Sequence, residues 1–354
     1  MFRILAVNPG STSTKVAFYE DENEIWNRTV TYSRERLAQF GKIVDQLPMR
    51  LKDIQDILAE EGVKPKELSA VVGRGGPFRP LKSGTYSVDE KLLRDIEENR
   101  VQADHISNIG AVLAFRLAEP AGIPSFFVDP VSVDEFDEVA RISGIPEIPR
   151  VSLVHALNVK ATARKAAAQL GRPLSEINLI VAHLGGGISI CPLLKGRIID
   201  VNNANEGGPF SPERAGSLPC SSLVKLCFSG QFTYEELKKR LVGNGGLTAY
   251  MGTHDTREVE ARIQSGDEEA RLIYAAMAYQ IAKEIGAAST VLKGDVDGIC
   301  LTGGVARSEM MVEWIRERVG FLAEVMVFPG ENELESLALG ALRVLRKEEE
   351  SLVY

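Results

Sequence analysis

Short apolar runs alternate along this chain with segments of helical period. Residues 2–7, 15–19 and 24–32 carry apolar stretches bounded by turn residues, which predicts three strands. The first two are joined by "NPGSTSTK" and the next two by "EDENE". In "RERLAQFGKIVDQLPMRLKDIQDILAEEG" the apolar positions recur at helical spacing, and Pro48 is expected to break the helix. "LSAVVGRGGPFRP" reads as a short strand closed by a glycine-rich turn. "SVDEKLLRDIEENR" and "HISNIGAVLAFRLAEPAG" read as helices, the second closing at Pro120 and Gly122. "PSFFVDPVSV" reads as a buried strand with Asp129 at its end, and "HALNVKATARKAAAQLG" as a strong helix.

The opening pattern then returns. "NLIVAHLGGGISICPLLKGRIIDV" repeats strand, small-residue loop, strand, turn and strand, with His183 where the first copy has Asn8. Such self-similarity predicts an internal duplication into two similar domains. A third glycine turn, "GICLTGGVARSEMMVEWIRERV", leads from a buried strand directly into a helix, where a phosphate suits the helix N-terminus. The expected division is residues 1–150 together with 337–354, and residues 151–336.

Size and composition are consistent with this. A chain of 354 residues with 44% hydrophobic and 25% charged residues can bury a large core and divide into two domains. A formal charge of -8 and a pI of about 5.3 argue against general nucleic-acid binding. Cys191, Cys220, Cys227 and Cys300 form no zinc-ligand or C-x-x-C pattern, which fits a reducing, cytoplasmic setting. The first apolar run is broken by Pro9 and Gly10, so no secretory signal is expected. The apolar stretch "LIYAAMAYQIAKEIGAASTVL" contains Lys283 and Glu284 and reads as a buried helix, not a membrane span.

The loop "NPGSTSTK" offers four hydroxyls, a glycine and a lysine, the chemistry of an anion site. It is not a P-loop. Gly10 has no second glycine before Lys15, and β-type sequence follows where a P-loop has its helix.

Taken together, the two glycine-rich hairpin loops and "LTGGVA" resemble the superfamily of sugar kinases, heat-shock ATPases and actin. Within it, "NPGSTSTK", "GRGGPFRP", "PRVSLVHALN", "AHLGGGIS" and "GPFSPERAGSLP" resemble the acetate kinase family over essentially the whole chain. "HLGGG" in place of "HLGNG", and the "GRGG" turn, look most like its butyrate-type branch. The resemblance implies an α/β fold of two duplicated ribonuclease-H-like domains, each a mixed five-stranded sheet with flanking helices, with a central nucleotide cleft. It implies phosphoryl transfer between ATP/ADP and a short-chain carboxylic acid such as butyrate or isobutyrate, with Mg2+, in a homodimer or larger homo-oligomer. An acceptor carboxylate is already ionised near neutral pH, so no general base is needed and Arg and His should dominate the centre.

By the same resemblance, Arg214 in "SPERAG" holds the transferring phosphoryl group, where a planar guanidinium can bind two oxygens. Arg74 holds the substrate carboxylate or the phosphoryl group. His155 donates to a phosphoryl oxygen, and Asp129 orients Arg74 or reaches Mg2+ through water. Asn8, Ser11, Ser13 and Lys15 supply hydrogen bonds and charge near the phosphoryl and metal region. His183, Gly185, Gly186 and Gly187 bring backbone N–H groups to the phosphates, with Gly303 and Gly304 at the nucleotide edge. Asp255 and Arg257 match the adenosine-contacting pair. In "ENELESLALGAL", Glu333 and Glu335 both fit the metal ligand. Acetate, propionate and branched-chain acids remain alternative acceptors, because one methylene is worth only about 1 to 3 kcal/mol in an apolar pocket. A conformational ATPase of the actin or heat-shock type would share the nucleotide loops and give Arg74, His155 and Arg214 no acyl chemistry to perform.

Overall fold

The computed structural model describes Met1–Tyr354. Its strands are β1 (Arg3–Pro9), β2 (Ser13–Glu20), β3 (Asn23–Thr31), β4 (Ala70–Arg74), β5 (Thr85–Ser87), β6 (Ser125–Val128), β7 (Asn178–Leu184), β8 (Ile188–Leu194), β9 (Arg197–Ile198), β10 (Gly298–Gly303), β11 (Val325–Pro329) and β12 (Leu352–Val353). The chain forms two compact units, Met1–Asp134 with Asn332–Tyr354, and Glu135–Glu331.

The first unit holds a mixed sheet in the order β12-β5-β6-β4-β1-β2-β3, and the second a mixed sheet in the order β11-β10-β7-β8-β9. Without β5 and β12 the two orders coincide. In each, two antiparallel pairings build a three-stranded meander, and two parallel strands extend its first strand on the other side. The first sheet therefore has seven strands where five were expected. The additional edge exists because the chain terminus is tied down. Tyr354 is buried edge-on against Phe78, with ring centroids 6.1 Å apart, and its hydroxyl donates to Asp95 at 3.2 Å. That lets β12 pair with β5.

Residues 135–150 belong to the second unit, unlike the division expected from the sequence, for a polar reason. Glu135 accepts from Lys160 Nζ at 2.7 Å and from the Ile198 amide at 2.9 Å, and Arg150 clasps Asp200. Residues 332–336 belong to the first unit, where Glu333 pairs with Arg74. Pro48 starts a helix instead of breaking one. It lies in the first turn of Leu47–Glu60, where its missing N–H has no helical partner to lose.

Strand alternation sorts the residues of β1 and β4 between two faces. Leu5, Val7 and Val71 pack with Ile54, Ile109 and Leu113, and Gly73 lets the helix Asn108–Ala118 approach so closely that a Cβ there would strike the Gly110 carbonyl. The alternate positions end in Asn8 and Arg74, on the side of the helix Glu333–Leu345. That helix packs on β1, β4 and β6 and buries Leu337, Ala338, Ala341 and Leu342. The second unit builds its core from Ile180, Ala182, Ile299 and Leu301 against Tyr274, Met277, Ile281 and Ile285 of the helix Glu268–Val291. No helix is long and apolar enough to cross a membrane. Cys191 and Cys300 are buried, Cys220 and Cys227 exposed.

Candidate active site

In the first unit, Asn8 and Arg74 end adjacent parallel strands and meet on one carboxylate. The Asn8 amide donates to Glu333, and the Arg74 guanidinium forms an ion pair with the same side chain. Glu333 opens its helix, where the aligned backbone dipoles favour a negative charge. Glu335 lies within electrostatic reach of the buried Tyr19 hydroxyl. Asp129 follows Val128, the register partner of Arg74. It holds φ at +40°, and its Oδ1 accepts from Ser83 Oγ at 2.6 Å and the Gly84 amide at 2.8 Å. It therefore fixes the Ser83–Gly84 turn. His105 lies near this group, with Nδ1 2.7 Å from Ser107 Oγ. Desolvation, and then the charge of Arg74, hold its pKa below the ordinary histidine value.

The hydroxyl loop lies beside Asn8. The Gly10 amide donates to the Ser13 carbonyl at 2.8 Å, and Ser11 and Lys15 are exposed. Lys15 is the register partner of Asn8. Thr14 is turned inward and is structural. Its hydroxyl accepts from Tyr32 at 3.0 Å and from Arg50 at 2.8 Å. Arg50 is fully buried under the loop, and its Nη1 also donates to the Ser13 carbonyl at 2.8 Å.

In the second unit, His155 precedes the helix Ala156–Leu170, and His183 sits near the end of β7. Their rings stack with centroids 4.0 Å apart and planes inclined by 15°. His155 Nδ1 is 2.9 Å from Ser189 Oγ, and His183 Nδ1 is 2.8 Å from Asn158 Oδ1. The three glycines after His183 each make room for a different neighbour. A Cβ on Gly185 would lie 2.9 Å from His183 Nε2, and one on Gly186 would lie 2.5 Å from Glu213 Oε2. On Gly187 it would run into the Arg214 guanidinium. Arg214 is itself held from behind. Its amide donates to Ser211 Oγ at 3.2 Å, and that hydroxyl donates to the Gly186 carbonyl at 2.5 Å. Burial lowers the Arg214 pKa, and Glu213 partly restores it.

A pocket of about 330 Å³ opens beside this loop, lined among others by Gly185, Glu213, Asp255, Arg257, Gly304 and Glu331. Asp255 caps the helix Thr256–Gln264 and accepts from Arg257 Nε at 2.9 Å and Nη2 at 2.6 Å. Those bonds hold the Asp255 pKa down to about 2. Gly303, at φ +90°, pairs back onto Gly330. The chain then makes a three-residue 3-10 turn, Val305–Arg307, before the helix Glu309–Val319, whose N-terminus Ser308 caps. The glycine pair is therefore not followed directly by a helix, as the sequence pattern suggested. Asn158, Ser211, Glu213 and Glu331 were not singled out from the sequence.

Comparison with known proteins identifies the family. A model of the acetokinase family matches residues 152–342, and "Probable butyrate kinase 2" of Caldanaerobacter subterraneus subsp. tengcongensis is 52% identical over 354 residues, the whole of both chains. The chain belongs to the acetokinase family. Among solved structures, the acetate kinase of Porphyromonas gingivalis aligns with a TM-score of 0.81 at 19% identity, covering 98% of this chain and 100% of that one. A propionate kinase from Francisella tularensis subsp. tularensis aligns with a TM-score of 0.75 at 18% identity, covering 96% and 99%. At these identities the structural likeness speaks for the shared fold. The span matched by the acetokinase model contains His155, His183, Arg214, Asp255, Glu333 and Glu335, whereas Asn8, Arg74 and Asp129 lie before it.

Proposed function

We propose that this acetokinase-family enzyme transfers a phosphoryl group reversibly between ATP and a short-chain carboxylate, with butyrate as the acceptor and butyryl phosphate and ADP as products. The observation that carries the reading is the Arg214 guanidinium against Gly187, in the loop whose Gly185 lines a pocket of about 330 Å³ together with Asp255 and Gly304. Phosphoryl transfer asks mainly for positioning and for cancelling negative charge on the moving group. Arg214 supplies a bidentate cation there, and its partial desolvation strengthens that attraction. His155 donates a hydrogen bond to a phosphoryl oxygen. His183 and the glycines after it, with Gly303, Gly304, Asp255 and Arg257, take the nucleotide. In the first unit Asn8, Ser11, Ser13, Lys15 and Arg74 serve the acceptor and the phosphoryl group, and Asp129 supports them through the turn it holds.

Mg2+ fits this donor set. No group of three or more His, Cys, Asp or Glu side chains stands ready for a metal, but a nucleotide-bound Mg2+ needs only one or two carboxylates and keeps several waters. Glu333, already gathered with Asn8, is the carboxylate that would hold it. The metal would neutralise phosphate charge. Butyrate is preferred over acetate or propionate on the full-length likeness to the Caldanaerobacter protein.

The test traps the product. Purified enzyme with MgATP and hydroxylamine is given acetate, propionate, butyrate, isobutyrate and valerate in separate reactions. Hydroxamate should form fastest with the four-carbon acids. A maximum at acetate would overturn the acceptor, and no hydroxamate with any acid would overturn the reaction.

A further inference from the structure

We propose that Asn158 is a positioning residue that fixes His183 as its Nδ1–H tautomer and so leaves Nε2 as the nitrogen directed to the pocket wall. The argument starts from which end of the Asn158 amide can face which neighbour. Its Nδ2 lies 3.0 Å from the Glu331 carbonyl, 3.4 Å from the Gly330 carbonyl and 3.3 Å from Thr302 Oγ1. Two of these three are carbonyl oxygens and can only accept, so the amide must present its NH2 end to them. Oδ1 is then turned to His183 Nδ1 at 2.8 Å. An amide oxygen accepts only, so Nδ1 must carry the proton. Asn158 is buried, and water does not compete for either end.

The other nitrogen follows from this. His183 Nε2 faces Glu331 Oε1 at 3.7 Å and lies directly behind Gly185. Both residues line the pocket. In the neutral ring Nε2 is an acceptor, and it donates only when the ring is charged. His155 is stacked against the same ring. One amide therefore joins the "HLGGG" loop, the end of β10 and the Gly330–Glu331 segment, and sets the hydrogen-bonding character of the histidine between them. The consequence for turnover rests on the nucleotide reading above, but the tautomer does not.

The experiment uses the intact chain with isotope-labelled histidine. Correlated nitrogen-15 and carbon-13 spectra at pH about 9, where an ordinary imidazole is neutral, distinguish the two tautomers, and His183→Asn assigns the signal. The wild type should show protonated Nδ1. Asn158→Asp keeps an acceptor at that place and should retain the signature, and Asn158→Leu should lose it. With MgATP varied, kcat/KM should fall on the order of 10- to 100-fold in Asn158→Leu, as expected when a reacting constellation shifts, and recover in part in Asn158→Asp. A wild-type signal showing protonated Nε2 overturns the proposal even if Asn158→Leu does not fold. So does an unchanged signature in a folded Asn158→Leu. A wild type that shows the Nδ1 signature but makes no acyl hydroxamate overturns the kinase reading and leaves the tautomer assignment standing.

Discussion

Adding one methyl group at Gly187 should separate activity from stability. A Cβ built there would lie 3.0 Å from Arg214 Nε and nearer still to Cζ and Nη1, inside the separations that real Cβ atoms show. Gly187 does not need a glycine for its backbone, because its φ lies outside the left-handed range. The clash is thus with the end of a long side chain, which can swing aside. Restoring ordinary contact at 3.4 Å displaces the guanidinium by about 1 Å. A displacement of that size at a reacting centre costs about 100-fold in rate, equivalent to about 2.7 kcal/mol of transition-state stabilisation. The folded state should lose about 1 kcal/mol or less, because the flexible Arg214 side chain, not backbone, takes up the clash. Gly187→Ala should therefore show a kcat/KM about 100-fold below wild type in the hydroxamate assay, with a nearly unchanged urea midpoint. Gly303→Ala is the contrast. Its backbone is at φ +90° and its Cβ would meet the Leu184 carbonyl, so it should lose stability first. Wild-type kinetics in Gly187→Ala would refute the placement of Arg214 at the reacting group. A collapsed midpoint would refute the argument that its guanidinium can yield.

Other outcomes can be stated more briefly. Arg214→Ala should lower turnover by at least about 1000-fold, the scale of losing an arginine that stabilises phosphoryl-transfer charge, with the circular dichroism spectrum unchanged. Glu333→Gln should weaken the Mg2+ dependence of kcat and Glu335→Gln should leave it nearly intact, a comparison made by titrating Mg2+ at fixed ATP. Arg50→Met should cost about 2 kcal/mol in chemical denaturation, because the Ser13 carbonyl loses a charged donor. Glu284→Gln should raise Tm at neutral pH. Burial, and then the Asp200 charge, lift the Glu284 pKa above its unfolded value, so its favourable contribution is present below about pH 4.3 and is lost as pH rises through the folded value. The gain should disappear near pH 4.

Most strands of both meanders were legible because short apolar runs bounded by turn residues leave a local signature, and "NPGSTSTK" and "HLGGG" announced their loops by composition. What was hidden depends on residues distant in sequence. β12 is two residues long and exists only because Tyr354 finds a place beside Phe78. Pro48 was misjudged because the residues before it form only a short turn of helix, Arg34–Leu37, and a 3-10 turn, which no apolar period reveals. The glycines of "HLGGG" were read as room for phosphates. Two of them also give room to Glu213 and Arg214, neighbours that no spacing rule names. The choice between Glu333 and Glu335 was open in the sequence, because two residues along a helix put side chains on opposing faces and no local pattern names Asn8 and Arg74, hundreds of residues away, as partners of Glu333.

The closing helix, Glu333–Leu345, also bears on how the molecule is made. It belongs to the unit that begins at Met1, yet it is translated after the whole of Glu135–Glu331. During synthesis the second unit has its complete sequence first, while β1, β4 and β6 wait with an apolar face uncovered until Glu333–Leu345 has been made. Glu333 arrives in that same segment. A nascent chain, or one cut before this helix, therefore lacks the carboxylate that Asn8 and Arg74 hold.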